Sequence, residues 1–564
     1  MCSKIMKFWL IALLITLAHC AEENDLADVE KECARDCMEM IRNNCIASDD
    51  STEDVNAEVS EHCPVDPTNE YLIDLDKKHS TCGSQGIDIR ELTVSQINEH
   101  FRMGTLSSLE LTQCYLQRIS KMDVHLRSVI ETNPDAVVLA RRADAERSER
   151  SSVSPIHGIP ILLKDNIGTA DSMQTTAGAL ALEHLKPIRD AEVVTRLRNA
   201  GAIILGKASL SEWANFRGII PSGWNGRRGQ TVNAYVLRQN PSGSSSGSAV
   251  SISANFATLS LGTETDGSII SPSTRSAIVG LKPTLGAVST KGVIPLAFSN
   301  DVVGPMVRTV QDASILMGVI SNVDLKGCNL NVSTCLQDQM LKIGVLREPF
   351  WNKNDTNVDP IIPVFEKCLQ NLNESGKAVV VDPVAFPFMP IDRQLSNIVF
   401  RHEFKDSVNN YLTNDVEYKA ADKTRTVFSL TDVIKFNNLN PPVEGYNQST
   451  LQLSDATDGL LNKTYVSALH KYRGDAKQYL DSIFNTTGVD ALATPCHIYS
   501  TPLLYSHGAA AGYPTITVPV STYSAGLPFG LCLLGRPFSE AVLLKLGYFI
   551  ELSRPGGRPI PRFL

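Results

Sequence analysis

Residues 242–268 read SGSSSGSAVSISANFATLSLGTETDGS, two loops of serine and glycine separated by a run of small apolar residues. Residues 248–257 are small and apolar enough for a buried helix, and residues 259–262 have the composition of a short strand. A helix that leads directly into a strand is typical of α/β proteins. This stretch therefore predicts a sheet that is covered by helices.

The same alternation continues on both sides of this stretch. Asp190 is placed to cap a helix whose apolar face carries Val193 and Leu197. Apolar segments predict further strands at Ile159–Leu163, Ala202–Leu205, Ile278–Leu281, Thr515–Val520 and Gly530–Leu534, and a last helix at 539–552. We therefore predict an α/β fold with a large mixed, mostly parallel twisted sheet that helices cover on both faces.

Composition divides the chain into three regions. Residues 1–20 combine a positively charged start with a short apolar run, which predicts a secretory signal peptide. The run is shorter than the roughly 20 apolar residues of a spanning helix, and an uncleaved signal anchor is the alternative. Residues 21–85 are acidic and contain cysteines. Residues 86–564 form one predicted domain, which opens with helices that begin at Thr93 and Ser107, each with a capping box.

Asparagine sequons agree with export through the secretory pathway, so we expect a secreted protein. The pattern N-x-S/T begins at six positions, all between residues 331 and 485, and these are the candidate glycosylation sites. They are Asn331, Asn354, Asn373, Asn447, Asn462 and Asn485.

Cysteine usage points to the same oxidising compartment. Of the 13 cysteines, Cys2 and Cys20 belong to the predicted signal peptide, and five more crowd into residues 21–85: Cys33, Cys37, Cys45, Cys63 and Cys82. A small polar segment of this kind is held by disulfides. Because five is odd, one of them pairs elsewhere, pairs between chains or stays free. Cys328 and Cys335 flank a polar loop and can pair with each other. A metal site in the N-terminal cluster is the alternative, but no suitably spaced histidine supports it.

Charge and hydropathy narrow the class of partner. The net charge is −9, with 43% hydrophobic and 20% charged residues. An acidic chain does not favour nucleic acid or an anionic membrane, because both bind basic patches. After the signal region, no stretch is long and apolar enough to span a membrane. These properties fit a protein that acts on a neutral or small substrate.

Three elements carry candidate chemistry. The second loop follows a strand and ends at Ser268, and the backbone N–H groups of Thr265, Asp266, Gly267 and Ser268 are candidates for an oxyanion hole. Ser244 lies in the first loop. Lys164 follows an apolar strand and is a base only if burial lowers its pKa from about 10.4. The plainer alternatives are a flexible linker, a helix-capping turn and a solvated lysine.

Taken together, these elements resemble the amidase signature family. The matching motifs are HGIP at 157–160, KDN at 164–166, GSSSGSA at 243–249, GTETDGSI at 262–269, GLKPT at 280–284, GPM at 304–306, AGYP at 511–514 and GLP at 526–528. The resemblance covers about 86–564, which would be the catalytic domain. The separation of the two loop serines (268 − 244 = 24 residues) also fits the family pattern. The closest likeness is to the subgroup of bacterial, fungal and plant-type amidases.

The resemblance implies a serine acyl-enzyme mechanism for hydrolysis of carboxylic amides. Ser268 would be the nucleophile. Ser244, which the family holds next to a cis peptide bond, would pass the proton between Ser268 and Lys164. The family uses no metal and no organic cofactor, and we expect His157 to be structural. The implied substrate is a small-molecule or peptide amide.

Several positions depart from the common family pattern. Ser242 and Ser246 replace paired glycines, and Asp266 stands where many members have glycine. The segment 269–272 lacks an arginine that often follows the nucleophile loop. From their positions along the chain, we suggest Met173 and Trp224, with parts of 400–460, as substrate-pocket residues.

Three other functions share this fold. A non-catalytic secreted glycoprotein is disfavoured by the intact Lys164, Ser244 and Ser268. The amidase subunit of a tRNA-dependent amidotransferase conflicts with a signal peptide. A fatty-acid-amide-type hydrolase at a membrane surface needs a docking surface, which the sequence does not show unless it lies in 400–460. The sequence leaves the natural substrate, the oligomeric state and the disulfide connectivity open.

Overall fold

A computed structural model describes residues 67–563 apart from 151, 352–357, 419–426 and 497–503. One compact unit comprises Ile73–Leu564, which extends back past the predicted boundary at residue 86. The other unit, Met1–Leu72, lies almost wholly outside the described residues. The predicted signal peptide, Cys33, Cys37, Cys45, Cys63 and the sequon asparagine Asn354 also lie outside them.

Strands and helices alternate along the described chain. The strands are β1 (Thr81–Cys82), β2 (Ile87–Asp88), β3 (Val129–Thr132), β4 (Pro160–Lys164), β5 (Leu185–Pro187), β6 (Ile203–Ala208), β7 (Trp224–Asn225), β8 (Gly229–Gln230), β9 (Leu259–Glu264), β10 (Val279–Lys282), β11 (Val302–Val307), β12 (Lys342–Val345), β13 (Val379–Val381), β14 (Val416–Tyr418), β15 (Ala491–Cys496), β16 (Thr515–Thr522) and β17 (Pro528–Gly535). The α-helices are α1 (Pro67–His79), α2 (Val94–Met103), α3 (Ser108–Leu126), α4 (Ala136–Glu149), α5 (Glu192–Asn199), α6 (Ser246–Ser253), α7 (Ile270–Arg275), α8 (Val310–Ile320), α9 (Ile362–Glu374), α10 (Arg393–Asn414), α11 (Leu430–Leu439), α12 (Ser449–Asp455), α13 (Lys463–Thr487), α14 (Leu504–Ala511) and α15 (Glu540–Ser553). Short 3₁₀ helices lie at Leu180–Leu182, Glu212–Asn215 and Asp359–Ile361.

One sheet of eleven strands organises the fold, in the order β13-β12-β15-β17-β16-β10-β11-β9-β4-β6-β3. Every residue of β4, β6, β9, β10, β11, β15 and β17 is buried. Strands that are buried along their whole length need cover on both faces of the sheet. The predicted α/β fold, a large mixed sheet flanked by helices, is confirmed.

The expectation that parallel pairing would predominate in this sheet needs correction. Four neighbouring pairs are parallel, namely β4–β6, β4–β9, β12–β13 and β12–β15, and the other six are antiparallel. The parallel neighbours β4–β6 and β12–β13 each have a helix between them in the chain, α5 and α9, as a crossover requires. By contrast, only residues 523–527 join β16 to β17, and so short a connection forces an antiparallel hairpin.

Local signals for helix starts are mostly confirmed. The side chain of Thr93 caps α2 and that of Ser107 caps α3, each in the predicted capping box. Asp190 does not cap α5, because that helix begins at Glu192 and its N-cap residue is Ala191. The Asp190 carboxylate instead accepts hydrogen bonds from Ala170 N at 2.8 Å and from Arg198 Nε at 2.9 Å.

Helix α6 connects the first serine loop to β9 and is buried over its whole length. It ends four residues earlier than predicted, because Asn255 adopts a positive φ of 57°. Near its start, Gly247 N donates to Ser209 O at 2.8 Å. A Cβ atom on Gly247 would lie 2.2 Å from Ser128 O and 2.3 Å from Ser209 N. Glycine at 247 is therefore what lets the serine loop approach the end of β6.

Three disulfides lie in the described part of the chain: Cys82–Cys114, Cys328–Cys335 and Cys496–Cys532. The predicted Cys328–Cys335 pair is confirmed. Cys82 pairs with Cys114 of α3, so one of the five crowded cysteines does pair elsewhere. Cys368 is free and buried, and burial raises the pKa of its thiol to about 12.

The close approach at Gly247 predicts that a methyl group destabilises the fold there but not at an open glycine position. We expect Gly247→Ala to destabilise the fold by about 2–3 kcal/mol, because backbone atoms on both sides leave the new Cβ no space. The matched control is Gly474→Ala in α13, where a Cβ meets nothing within 4 Å and alanine favours the helix. Thermal unfolding of both variants measures the difference. Equal unfolding temperatures for the two variants would contradict the tight packing of the loop.

Candidate active site

The candidate residues meet at neighbouring strand ends. Lys164 is the last residue of β4 and Glu264 the last residue of β9, and these two strands pair in parallel. Because parallel strands end at the same edge of a sheet, the loop that leads to Ser268 begins beside Lys164. Ser245 N donates to Ser268 O at 3.2 Å, which ties the first serine loop to the second. The structure thus brings together the three predicted elements.

Lys164 is fully buried, which excludes the alternative of a solvated loop lysine. Its Nζ donates to Ser244 Oγ at 2.8 Å and to Thr263 O at 3.0 Å. Burial lowers the pKa of Lys164 to about 7, although the charges of Asp301 and Glu264 act in the opposite direction. A substantial fraction of the amine is therefore neutral at physiological pH.

Two other fully buried lysines show what distinguishes Lys164. Burial also lowers the pKa of Lys207 and of Lys282, each to about 8. Lys207 donates to Ile167 O and Thr175 Oγ1. Lys282 donates to the carbonyl oxygens of Pro283 and Tyr513. A low pKa alone does not mark the site, whereas the contact with a serine hydroxyl does.

The first serine loop is anchored within the fold, which excludes the linker alternative. The peptide bond between Gly243 and Ser244 is cis, and Ser244 is fully buried. Ser244 O accepts a hydrogen bond from Ser211 N at 3.0 Å. Ser245 Oγ donates to Thr263 O at 3.0 Å, so this carbonyl oxygen contacts both Ser245 and Lys164.

Ser268 is 9% exposed, in a loop that a buried carboxylate organises. Glu264 Oε2 accepts from Ile269 N at 2.7 Å and from Ile270 N at 3.0 Å. Burial raises the pKa of this carboxylate. The N–H groups of Thr265, Asp266, Gly267 and Ser268 stay candidates for the oxyanion hole.

The second loop is not an ordinary capping turn. The N-cap residue of α7 is Ile269, and it makes no side-chain capping bond. Gly267 has a φ of 82°, and a Cβ there would lie 2.7 Å from the Tyr505 ring. A positive φ and this close approach both require glycine, so the backbone that presents Ser268 depends on it.

Further polar residues hold the loop from the opposite side. Thr265 Oγ1 donates to Asp301 Oδ1 at 2.6 Å, and burial raises the pKa of Asp301 to about 6. Asn300 Nδ2 donates to Thr265 O at 3.2 Å. Asn166 Nδ2 donates to Thr263 Oγ1 at 3.0 Å. Asn166 belongs to a quoted motif, but Asn300 and Asp301 carried no signal in the sequence.

The suggested pocket residues lie on two different segments. Trp224 is almost fully buried, its Nε1 donates to Glu444 Oε1 at 3.1 Å, and its ring packs edge-on against Tyr446. Part of the 400–460 region thus contacts Trp224. Met173 is fully buried in the loop before Thr175. The role of Trp224 and Met173 in binding substrate stays a prediction.

His157 has a structural environment. Its Nε2 donates to Ala143 O at 3.0 Å, and its ring lies against Gly201. In the described ranges, no group of three or more His, Cys, Asp or Glu side chains is arranged to hold a metal ion. In the same ranges, no helix combines the length and the apolar character needed to cross a membrane.

Comparison with known proteins identifies the family of the chain. The profile of the Amidase family matches residues 110–544. A probable amidase of Arabidopsis thaliana is 37% identical over 492 residues, which covers 85% of this chain and 93% of that protein. A putative amidase of Schizosaccharomyces pombe is 33% identical over 512 residues, covering 83% of this chain and 86% of that protein.

Solved structures agree with these relatives. The native peptide amidase from Stenotrophomonas maltophilia superposes with a TM-score of 0.74 at 37% identity, covering 83% of this chain and 98% of that one. An amidase family protein from Bacillus anthracis superposes with a TM-score of 0.73 at 32% identity, covering 89% of this chain and 96% of that one. The chain therefore belongs to the amidase family and is an amidohydrolase that acts on the carbon–nitrogen bonds of amides.

Proposed function

We propose that this chain is a secreted amidase that works through a serine acyl-enzyme. Ser268 is the nucleophile, and Ser244 and Lys164 form its proton relay. The observation that carries this proposal is the 2.8 Å hydrogen bond between Lys164 Nζ and Ser244 Oγ inside a buried site. In this arrangement the Ser244 hydroxyl is the proposed bridge between the desolvated amine of Lys164 and the loop that carries Ser268.

The relay requires the neutral amine. Neutral Lys164 has two N–H bonds and one lone pair, so one N–H can stay on Thr263 O while the lone pair faces Ser244 Oγ and accepts a hydrogen bond from that hydroxyl. As Ser268 Oγ attacks the substrate carbonyl carbon, its proton passes to Ser244 Oγ while the Ser244 proton passes to Nζ. The hydrogen bond between Ser244 and Lys164 reverses its direction in this step.

The second half of the reaction uses the same groups. Collapse of the tetrahedral intermediate breaks the C–N bond, and the relay returns the proton to the leaving amine. A water molecule then attacks the ester at Ser268 and gives a proton to the relay. When the second tetrahedral intermediate collapses, the bond to Ser268 Oγ breaks, the relay returns the proton to Ser268 Oγ, and the acid is released. During both attacks, the N–H groups of Thr265, Asp266, Gly267 and Ser268 are the candidate donors to the negatively charged carbonyl oxygen.

Peptide amides are the substrate class that the comparisons favour. The similar enzyme from Stenotrophomonas maltophilia is a peptide amidase, and a further similar structure is that of the peptide amidase PAM with the competitive inhibitor chymostatin. Hydrolysis rates for amidated peptides, short aryl amides and oleamide separate peptide, small-molecule and fatty-acid amide substrates. Preferential hydrolysis of oleamide would replace the peptide assignment with the fatty-acid one.

Secretion is supported by surface chemistry as well as by the N-terminal sequence. The sequon asparagines Asn331, Asn373, Asn447 and Asn485 are exposed, and Asn462 is half-buried. The Asn462 Oδ1 atom caps α13, and its Nδ2 atom donates to Asp458 Oδ2 at 3.2 Å. Disulfides such as Cys82–Cys114 persist in oxidising compartments.

The relay makes a prediction for three substitutions. Ser268→Ala and Lys164→Met should each abolish amide hydrolysis, and Ser244→Ala should lower kcat by several orders of magnitude, because each breaks the path of the proton. A fluorophosphonate probe should label the wild type but not Ser268→Ala. Retained turnover of Lys164→Met at neutral pH would contradict the relay.

The lowered pKa of Lys164 predicts the pH profile. Below about pH 7 the amine is protonated and cannot accept a proton, so kcat/KM for a neutral amide should rise with pH, with a midpoint near 7. Lys207→Met is the matched control, because Lys207 is equally buried but contacts no serine of the relay. Its remaining activity should keep the same midpoint. A midpoint that shifts in Lys207→Met would show that the ionisation belongs to Lys207 and would contradict its assignment to Lys164.

Secretion predicts a processed and glycosylated product. Expression of the full chain in a eukaryotic host should give a secreted protein whose N-terminus lies near Ala21 and whose mass falls on treatment with peptide N-glycosidase. Replacing all six sequon asparagines with glutamine should remove that shift. An intracellular product with an intact Met1 would contradict this part of the proposal.

A further inference from the structure

The nucleophile loop carries a carboxylate that the proton relay does not use. Asp266 lies two residues before Ser268, and its side chain is 13% exposed. Asp266 Oδ1 accepts from Ser506 Oγ at 2.7 Å, and Oδ2 forms an ion pair with Arg393 Nη1. Arg393 Nη2 also donates to Ser506 Oγ at 3.2 Å. The three side chains form a closed triangle on the nucleophile loop.

The triangle connects separate parts of the fold to this loop. Arg393 is the first residue of α10, and Ser506 belongs to α14. Tyr505, the neighbour of Ser506, lies against Gly267 in the nucleophile loop. These contacts fix where the Asp266 carboxylate lies relative to the backbone that presents Ser268.

An unpaired carboxylate at this position would oppose amide hydrolysis. The N–H of Asp266 is a candidate oxyanion donor, and the carboxyl carbon is two bonds from the same α carbon. The substrate oxygen becomes negative in the tetrahedral intermediate, and two like charges repel strongly where water is excluded. The N–H of the residue attracts the oxyanion, whereas its side chain would repel it.

We propose that Arg393 neutralises Asp266 and thereby keeps the oxyanion site free of net negative charge. The inference rests on the proposed acyl-enzyme function. Arg393 is a positioning residue, since it acts through Asp266 and not on the substrate. Its side chain is 58% exposed, while that of Asp266 is mostly buried. Loss of the arginine therefore leaves an uncompensated, mostly buried charge on the nucleophile loop.

A purely structural clamp would behave differently from a neutralising charge. If the ion pair only held α10 against the loop, loss of either partner would have the same effect, and loss of both would be no better. Neutralisation predicts an asymmetry, because loss of Arg393 leaves a harmful charge and further loss of the Asp266 charge removes it. A double-mutant cycle separates the two cases.

The experiment compares Arg393→Met, Arg393→Lys, Asp266→Asn and the double variant Arg393→Met/Asp266→Asn. For each, we would measure kcat and KM with an amidated peptide, the rate of fluorophosphonate labelling at Ser268, and thermal unfolding. Arg393→Met should lower kcat and the labelling rate by about 30-fold, with KM changed by less than about threefold. Arg393→Lys and the double variant should each have a kcat and a labelling rate about tenfold higher than those of Arg393→Met.

The outcomes separate this inference from the proposed function. A double variant as impaired as Arg393→Met, or an Arg393→Met enzyme as fast as the wild type, would overturn the role of Arg393 and leave the acyl-enzyme proposal intact. A wild-type protein that is never labelled at Ser268 would instead overturn the proposed function. If Arg393→Met does not fold, Arg393→Gln offers the same comparison, because its amide can still donate to Ser506.

Discussion

The active site depends on keeping one amine out of water. Lys164 ends the buried strand β4, and its Nζ lies between Ser244 Oγ and Thr263 O. Desolvation by burial is the largest influence on its pKa and lowers it from an ordinary lysine value to about 7. The parallel pairing of β4 with β9 sets this arrangement, because it brings the lysine and the nucleophile loop to the same edge of the sheet.

A neutral amine persists only if nearby carboxylates are engaged elsewhere. Glu264 accepts hydrogen bonds from the two backbone N–H groups that follow Ser268, and Asp301 accepts from Thr265 Oγ1 and from two backbone N–H groups. Asp266 is paired with Arg393. Asp266 therefore has a cationic partner, whereas Glu264 and Asp301 are held by neutral donors. The charges of Glu264 and Asp301 favour protonated Lys164, and desolvation by burial outweighs them.

The three residues of the proposed relay could be picked out from the sequence because each lies in a short motif. Lys164, Ser244 and Ser268 each follow or precede a clear strand or helix signal, so their positions in the fold followed from local pattern. The order and direction of the strands could not be predicted from local patterns, because strand pairing depends on the whole sheet. Asp266 and Arg393 are 127 residues apart, and nothing local to either residue indicates the other. The Cys82–Cys114 pair was missed for the same reason, whereas Cys328–Cys335 spans only a short loop.

The most direct test is the titration of the Lys164 amine itself. Protein labelled with ¹³C at the lysine Cε position, compared with Lys164→Met to identify the signal, reports the protonation of that one amine by NMR. The account predicts a midpoint near pH 7, below those of Lys207 and Lys282, which should lie near 8. A Lys164 signal that stays in its protonated position up to about pH 10 would contradict the account, because a charged lysine cannot accept the serine proton.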